Sequence, residues 1–539
     1  MKRVLFALLF TGLMSPIAVF AGGIVTNAGQ SASYVRMLAR DASTSLDAVY
    51  YNPAGLTKLA DGFHLSLSNQ SVFQKKTIEN KFPSLHKAKY VGDVTAPLFP
   101  DLYAVYKKNK LALGFGFQPN SGGGSAKYDT GLPSFEIPVS AIPAMLAANV
   151  PTIPTTNYSA NINFKGTSVF WGAQLNASYA INDMISLSAG ARMIFAKNTY
   201  KGYLKSIMIN PNYPAFGASY TGGMVSATQF FTDGATYLTG VSNQLSGSAT
   251  SLQPVITGGG GSVLLSNGTA AGLTPTQVAT LQGTITSLGG NPTGMTIAQT
   301  QAFLSGASTT YAGKASTMTA NAAATADKDV DADQTGTGYT PIFGANLTFG
   351  EKLNIGIKYE FRTKLTLTNK TKVDGTGLFT DGNKIRSDIP AILSVGIGYK
   401  VLPQMRVSAG MHYYFDKDAI IESAPGVKKV IDGNLYEVAL GGEYDITDKI
   451  LISAGYLYAK TGVGQRYQTD LSYSLTSNTV GFGGAIKVSE KMVLNLGMLY
   501  TMYKSDAKSI DYTKYGVPSA QETYNRTNID FSIGVDYHF

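Results

Sequence analysis

The sequence predicts an all-β chain closed into a transmembrane β-barrel of about 14 antiparallel strands. Three observations carry that prediction. Apolar residues recur at every second position along segments of ten residues or more. Six very short turns alternate with longer, variable connections. Of 539 residues only 14% are charged, while 59 are glycine, 32 tyrosine and 25 phenylalanine; soluble proteins carry about 25% charged residues. Past the leading segment there is no run of roughly 18 apolar residues, as a spanning helix needs. Alternating strands are the other way to meet lipid.

Composition also excludes. The chain has no cysteine, hence no disulfide scaffold and no thiolate metal site. The net charge of +9 is dispersed without a run of five basic residues, so nucleic acid is not an expected partner. The first residues read as a secretory leader: Lys2 and Arg3 are the positive start, Val4 to Leu13 is mostly apolar, Ser15-Pro16 breaks it, and Val19-Phe20-Ala21 offers a cleavage site. Residues 1–21 are thus expected to be removed, with the mature chain beginning near Gly22 outside the cytoplasm.

The barrel is expected over 62–539. Phe63, Leu65 and Leu67 alternate with His64, Ser66 and Ser68; Leu111, Leu113, Phe115 and Phe117 follow the same rule, as do Val169 to Tyr179 and Leu353 to Leu367. Strands are expected to start near Gly62, Phe99, Leu111, Thr167, Met184, Gly336, Leu353, Ile389, Met405, Asn434, Ile450, Thr476, Met492 and Asn525. The short turns, such as Lys107-Lys108-Asn109-Lys110, Ile181-Asn182-Asp183 and Ser489-Glu490-Lys491, mark one rim and the long connections the other. The even count puts both ends of the barrel on the periplasmic side. The last strand, with Ile529, Phe531, Ile533, Val535 and Tyr537 on one face and Phe539 at its end, resembles the insertion signal of bacterial outer-membrane barrels. That resemblance implies the barrel-insertion machinery as a partner.

Two segments do not fit a barrel wall. Residues 22–61 show turn and helix signals in place of alternation. The stretch of about 205–335 is rich in Gly, Ser, Thr and Ala and falls on the long-loop rim, with short helices expected in 274–312. Loops of this length are functional or disordered.

The segment before the first strand reads Asp41-Ala42-Ser43-Thr44-Ser45, then Ala48-Val49-Tyr50-Tyr51-Asn52-Pro53-Ala54-Gly55-Leu56. It resembles the N-terminal hatch of the long-chain fatty-acid transporter (FadL-type) family of outer-membrane barrels. Phe99 to Gly116, and Asp333-Gln334-Thr335-Gly336 running through Leu353 to Arg362, are similar to further parts of that family's wall. The resemblance implies that residues 22–61 plug the lumen, that Asn52, Pro53, Ala54 and Gly55 form the hatch motif, and that the cargo is a long-chain fatty acid or another hydrophobic molecule. The residues have their own physics: Asn52 can bond nearby backbone, Pro53 fixes φ, Ala54 packs closely, and Gly55 permits a left-handed or tight conformation.

No catalytic set is expected. His64, His86, His412 and His538 have no triad or metal-ligand spacing and read as lumen or loop histidines. Asp327, Asp329, Asp331 and Asp333 echo a calcium loop but lack its glycine and closing glutamate. No cofactor or metal site is predicted. By parity Arg192, Lys358, Glu360, Arg362, Lys364, Arg406, Glu437 and Glu443 face the lumen, and Arg192, Lys358 and Arg362 are the candidates for a ligand carboxylate. Phe135, Ile137, Ile142, Met145 and Leu146, within an apolar stretch from Leu132 to Pro154, either pack over the mouth or form a capture groove. The expected protein is a monomer in outer-membrane lipid and lipopolysaccharide that passes hydrophobic molecules passively. Uptake of aromatic compounds, a surface-binding barrel that works through the long loop, and a general porin are the alternatives.

Overall fold

The computed structural model describes residues 31–149 and 153–539. The expected leader, and the start of the expected plug up to residue 30, lie outside the described residues. The chain forms two compact units. Among the described residues one holds 31–137, 162–204 and 328–539, and the other 138–149, 153–161 and 205–327.

The first unit is the barrel and its plug. Its fourteen strands are β1 (Gly62–Asn80), β2 (Lys89–Lys108), β3 (Leu111–Tyr128), β4 (Tyr158–Ala180), β5 (Ile185–Ile209), β6 (Lys328–Phe349), β7 (Leu353–Glu360, resuming at Thr366–Asp374), β8 (Lys384–Arg386, resuming at Ile392–Leu402), β9 (Met405–Tyr414), β10 (Tyr436–Thr447), β11 (Ile450–Lys460), β12 (Ser477–Ser489), β13 (Met492–Tyr503, resuming at Asp506–Tyr512) and β14 (Val517–His538). The sheet closes because β14 pairs with β13 on one edge and with β1 on the other, in register from His64↔His538 to Asn80↔Glu522. Closure leaves no strand edge to satisfy in lipid.

The alternation has the physical sense expected of a membrane wall. Leu67, Leu175 and Leu440 point outward at 56%, 66% and 59% exposure, while Ser66, Ser68, Gln174 and Asn176 between them are buried. Leucine outside with serine and amides inside inverts the burial of a water-soluble protein and places the outer face in hydrocarbon.

Several strands run further than the alternation shows. β2, β4, β6 and β14 begin eight to ten residues before the expected starts at Phe99, Thr167, Gly336 and Asn525. Beyond the apolar band the ladder continues with the alternation reversed: Tyr90 and Val94 of β2 and Ile162 and Phe164 of β4 are buried inside, with mostly polar residues on the outer face. One parity assignment is corrected. β7 breaks off between Glu360 and Thr366, and across that break the alternation slips: Leu365 and Leu367, expected on the lipid face, are fully buried. Lys364, expected inside, is exposed.

The second unit contains more helix than the expected short segments. Helices Ala227–Ser251 and Ile297–Thr325 pack along each other, joined by Gln253–Thr257 and Pro275–Ser287. Leu245, Leu252, Leu265, Leu281, Ile285 and Leu304 form its own core. The helices start on side-chain caps: Ser226 accepts from the Gln229 N–H, and Thr274 with Gln277 and Thr296 with Gln299 form capping boxes. The aspartate series is not a loop, since Asp329, Asp331 and Asp333 lie within β6. Asp331 and Asp333 face Lys201 and Lys197 of β5 at 3.3 and 3.5 Å. Among the described residues no group of three His, Asp or Glu could hold a metal.

Candidate functional site

Residues 31–61 fold into the lumen as α1 (Ala32–Arg36), α2 (Ala48–Tyr51) and a 3-10 turn (Pro53–Lys58). Val35, Leu38, Val49, Tyr51, Ala54 and Leu56 are at most 2% exposed. Elements this short leave many carbonyls unpaired, and side chains of the wall take them up. Gln174 and Asn176 donate to the Val49 carbonyl at 2.7 and 2.9 Å, Ser178 to Pro53 at 2.7 Å, Asn354 to Ala42 at 2.9 Å and Lys358 to Tyr50 at 2.8 Å.

The hatch motif works much as its residues suggest. Asn52 donates through Nδ2 to the Ser43 carbonyl at 3.0 Å and to Asn346 of β6 at 2.7 Å. Pro53 opens the 3-10 turn, and Ala54 is fully buried. Of the two conformations expected of Gly55, left-handed or tight, it takes the tight one. It is required for the tight approach, since a Cβ there would strike the Ser43 carbonyl and the Asn52 side chain.

Glycine rows in the wall make room for the plug. Gly356, Gly396 and Gly410 are register neighbours across β7, β8 and β9, and Gly441, Gly455 and Gly481 across β10, β11 and β12. A Cβ on any of the first three would meet Asp41, and one on Gly455 or Gly481 would meet the backbone of Leu38 or Val35.

Three ionic clusters lock the plug. Arg192 of β5 donates to Glu360 of β7 at 2.6 Å, to Asn120 at 2.7 Å and to Gln174 at 2.8 Å. Lys358 reaches the other Glu360 oxygen at 2.6 Å. The Arg192 guanidinium and the Lys358 ammonium each lie 4.7 Å from the centre of the Tyr50 ring. In the second cluster Arg36 of the plug meets Glu443 of β10 at 2.6 Å, and Glu443 also faces Arg406 at 3.3 Å. Next to it Arg40 grips Asp47 at 2.7 Å. Burial opposes the charge of Arg40, and Asp47 more than restores it, so the guanidinium holds its proton more tightly than usual. In the third, His412 of β9 bridges Asp41 of the plug, at 2.6 Å, and Glu437 of β10, at 2.8 Å.

The carboxylate candidates separate accordingly. Arg192 and Lys358 are inward and buried as expected, and both are placed on Glu360 and the plug. Arg362 is corrected: it falls in the β7 break, is only half-buried, donates to the Asp418 carbonyl, and its Nε lies 3.9 Å from Asp388. His64 and His538 are inward neighbours as expected, their Nδ1 atoms 2.8 Å apart. Sequence reasoning missed the His412 bridge, because no local spacing links positions 41, 412 and 437.

The apolar stretch forms two helices, Pro133–Ser140 and Ile142–Asn149; Val150 lies outside the described residues. Phe135 packs edge-on against Phe164, ring centres 5.4 Å apart, and Ile137 is buried. In the helical unit Ile142, Met145 and Leu146 line a small apolar cleft with Val139, Ile207 and Phe231. Its lining is of the apolar kind that small hydrophobic molecules contact.

The fold and its interior define a transmembrane barrel of fourteen strands, stoppered by its own N-terminal segment. Among solved structures, such a fold is shared with a Pseudomonas aeruginosa FadL homologue, at 13% identity and a TM-score of 0.56 over 96% of this chain and 100% of that one. It is shared too with the Pseudomonas putida toluene transporter TodX, at 14% identity and a TM-score of 0.51 over 96% and 100%. At such identities the likeness is one of fold. No protein-family model and no curated protein matches the chain.

Proposed function

We propose that this chain admits hydrophobic molecules passively across a bacterial outer membrane, long-chain fatty acids in the first reading. The observation that carries this is the apolar cleft lined by Ile142, Met145 and Leu146. A cargo gains about 0.8 kcal/mol for each methylene moved from water into such a site. Capture there precedes entry to a lumen that the plug closes, and release follows when the plug or the wall yields. A ligand carboxylate reaches Arg192 or Lys358 only by displacing Glu360, whereas Arg362 is the more exposed of the three. The protein acts as a monomer among outer-membrane lipid and lipopolysaccharide, inserted through the strand that ends at Phe539. The same fold in a protein described as a toluene transporter favours aromatic compounds as the second reading.

The test uses cells that lack other long-chain uptake barrels and express this chain or its Ile142→Asp or Met145→Asp variant. An aspartate in an apolar cleft costs several kcal/mol, so uptake of labelled oleate is expected to fall roughly tenfold or more at unchanged barrel abundance. Unchanged uptake of both oleate and toluene overturns capture at the cleft. Loss of toluene uptake alone moves the assignment to aromatic cargo.

A further inference from the structure

Lys76 of β1 and Arg526 of β14 are register partners across the seam where the barrel closes. Both are buried, at 1% and 5% exposure. Among the described residues Lys76 makes no ion pair, and its ammonium lies 5.4 Å from the centre of the Tyr473 ring. The Arg526 guanidinium lies 5.1 Å from the rings of both Tyr473 and Tyr503, and it donates to the Tyr473 carbonyl at 3.0 Å. Gln74 and Asn528, the next inward register pair, are buried too. Among the described residues Gln74 Oε1 and both polar atoms of the Asn528 amide have no hydrogen-bond partner. The nearest inward carboxylates along β14, Glu522 and Asp530, are each four residues from Arg526 and are opposite Asn80 and Val72 rather than Lys76.

This differs in kind from the plug clusters. Arg192 and Lys358 have Glu360; the Lys76 ammonium has an aromatic ring and a second cation beside it. A buried charge without a counter-charge is unfavourable, and a buried amide with unused hydrogen-bonding capacity adds to the cost. A ligand that carries one negative group relieves both. Two adjacent donors of positive charge match the two oxygens of a carboxylate, and the tyrosine rings offer apolar surface to the carbon next to it.

We propose that Lys76 and Arg526, with the Asn528 amide, form an anion site inside the barrel that takes the carboxylate of an apolar monoanion. It rests on the uptake reading and specifies that the cargo is charged at one end. The anion chemistry is shared with free phosphate, so the test separates the two.

The full-length chain, purified in a neutral detergent, is titrated calorimetrically with dodecanoate, dodecanol, toluene and inorganic phosphate. Wild type is expected to bind dodecanoate about tenfold or more tightly than dodecanol, and Lys76→Gln to abolish that preference while dodecanol binding stays unchanged. Arg526→Gln is the second variant, read the same way should Lys76→Gln fail to show the migration of a folded barrel on unheated gels. Equal affinity for dodecanoate in wild type and in the folded variants overturns the site, as does wild-type binding of phosphate without dodecanoate. Failure of dodecanoate, dodecanol and toluene alike to bind wild type overturns the uptake reading as well. Tight dodecanol or toluene binding with no preference for dodecanoate overturns the anion site alone.

Discussion

The imidazole of His412, in the wall, meets the carboxylate of Asp41, in the plug, at 2.6 Å across 371 positions of sequence. Its other nitrogen faces Glu437 at 2.8 Å. A carboxylate only accepts, so with both ring nitrogens on carboxylates the ring serves as a two-headed donor. His412→Ala leaves two acidic groups facing each other in a buried space and is expected to cost about 3 kcal/mol of plug seating, the scale for breaking a buried pair. Planar-bilayer recordings are expected to show frequent open events in the variant where wild type stays closed. A variant as quiet as wild type would show that the other clusters hold the plug alone.

Glu360 neutralises two cations, so its removal is predicted to matter more than removal of either partner. Glu360→Gln leaves Arg192 and Lys358 buried beside each other and the Tyr50 ring. The expected loss is about 3–5 kcal/mol, seen as a lower temperature at which the barrel loses its folded migration on gels. Restoration of wild-type behaviour by the double variant Glu360→Gln with Lys358→Met would identify the excess positive charge as the cause.

The wall was legible because it obeys a local rule: one lipid face and one lumen face give period two. Where that rule lapses, legibility lapses. Beyond the apolar band β2 and β4 run on with the apolar face turned inward, at Tyr90, Val94, Ile162 and Phe164, and at the β7 break Leu365 and Leu367 change sides without any mark in the spacing. The helical unit was partly readable, since Thr274 with Gln277 and Thr296 with Gln299 are capping boxes that announce helix starts in the sequence. The plug motif around Asn52 was visible, but its anchors, Asn346, His412 and Glu443, were not. They are joined to it only by closure of the barrel, and nothing local in the chain encodes such distant pairs.

The glycine rows predict a graded response to added side chains. At Gly396 a Cβ would press on the backbone of Asp41 and Ala42, which cannot turn aside as a side chain can. Gly396→Val is expected to unseat that part of the plug at a cost of about 1–3 kcal/mol. Gly442→Ala is the control, because its Cβ would find only the Arg406 carbonyl at 3.6 Å, an ordinary contact. Protease access to the plug is expected to rise in the first variant and not in the second. Equal protection of both would mean that the plug does not need the space the glycines leave.

The loop between β9 and β10 carries a pH-dependent contact. Burial pushes the Lys429 ammonium down to about 7, and its Nζ lies 4.7 Å from the centre of the Tyr467 ring. Its backbone N–H donates to the Ile421 carbonyl at 2.8 Å, which ties the hairpin of Glu422–Ala424 and Val427–Lys428 in place. The lysine pKa is lower in the folded loop than in the open chain, so between about 7 and 10.5 the open form binds more protons and the closed form gains stability as pH rises. Below about 7 both forms are charged and the penalty for burying the ammonium is present in full. Limited proteolysis of the hairpin is therefore expected to be faster at about pH 6 than at about pH 9, after correction with an unstructured peptide of the same sequence. Lys429→Met is expected to remove the difference and to slow cleavage at the lower pH. A pH dependence that survives this substitution would assign it to another group of the loop.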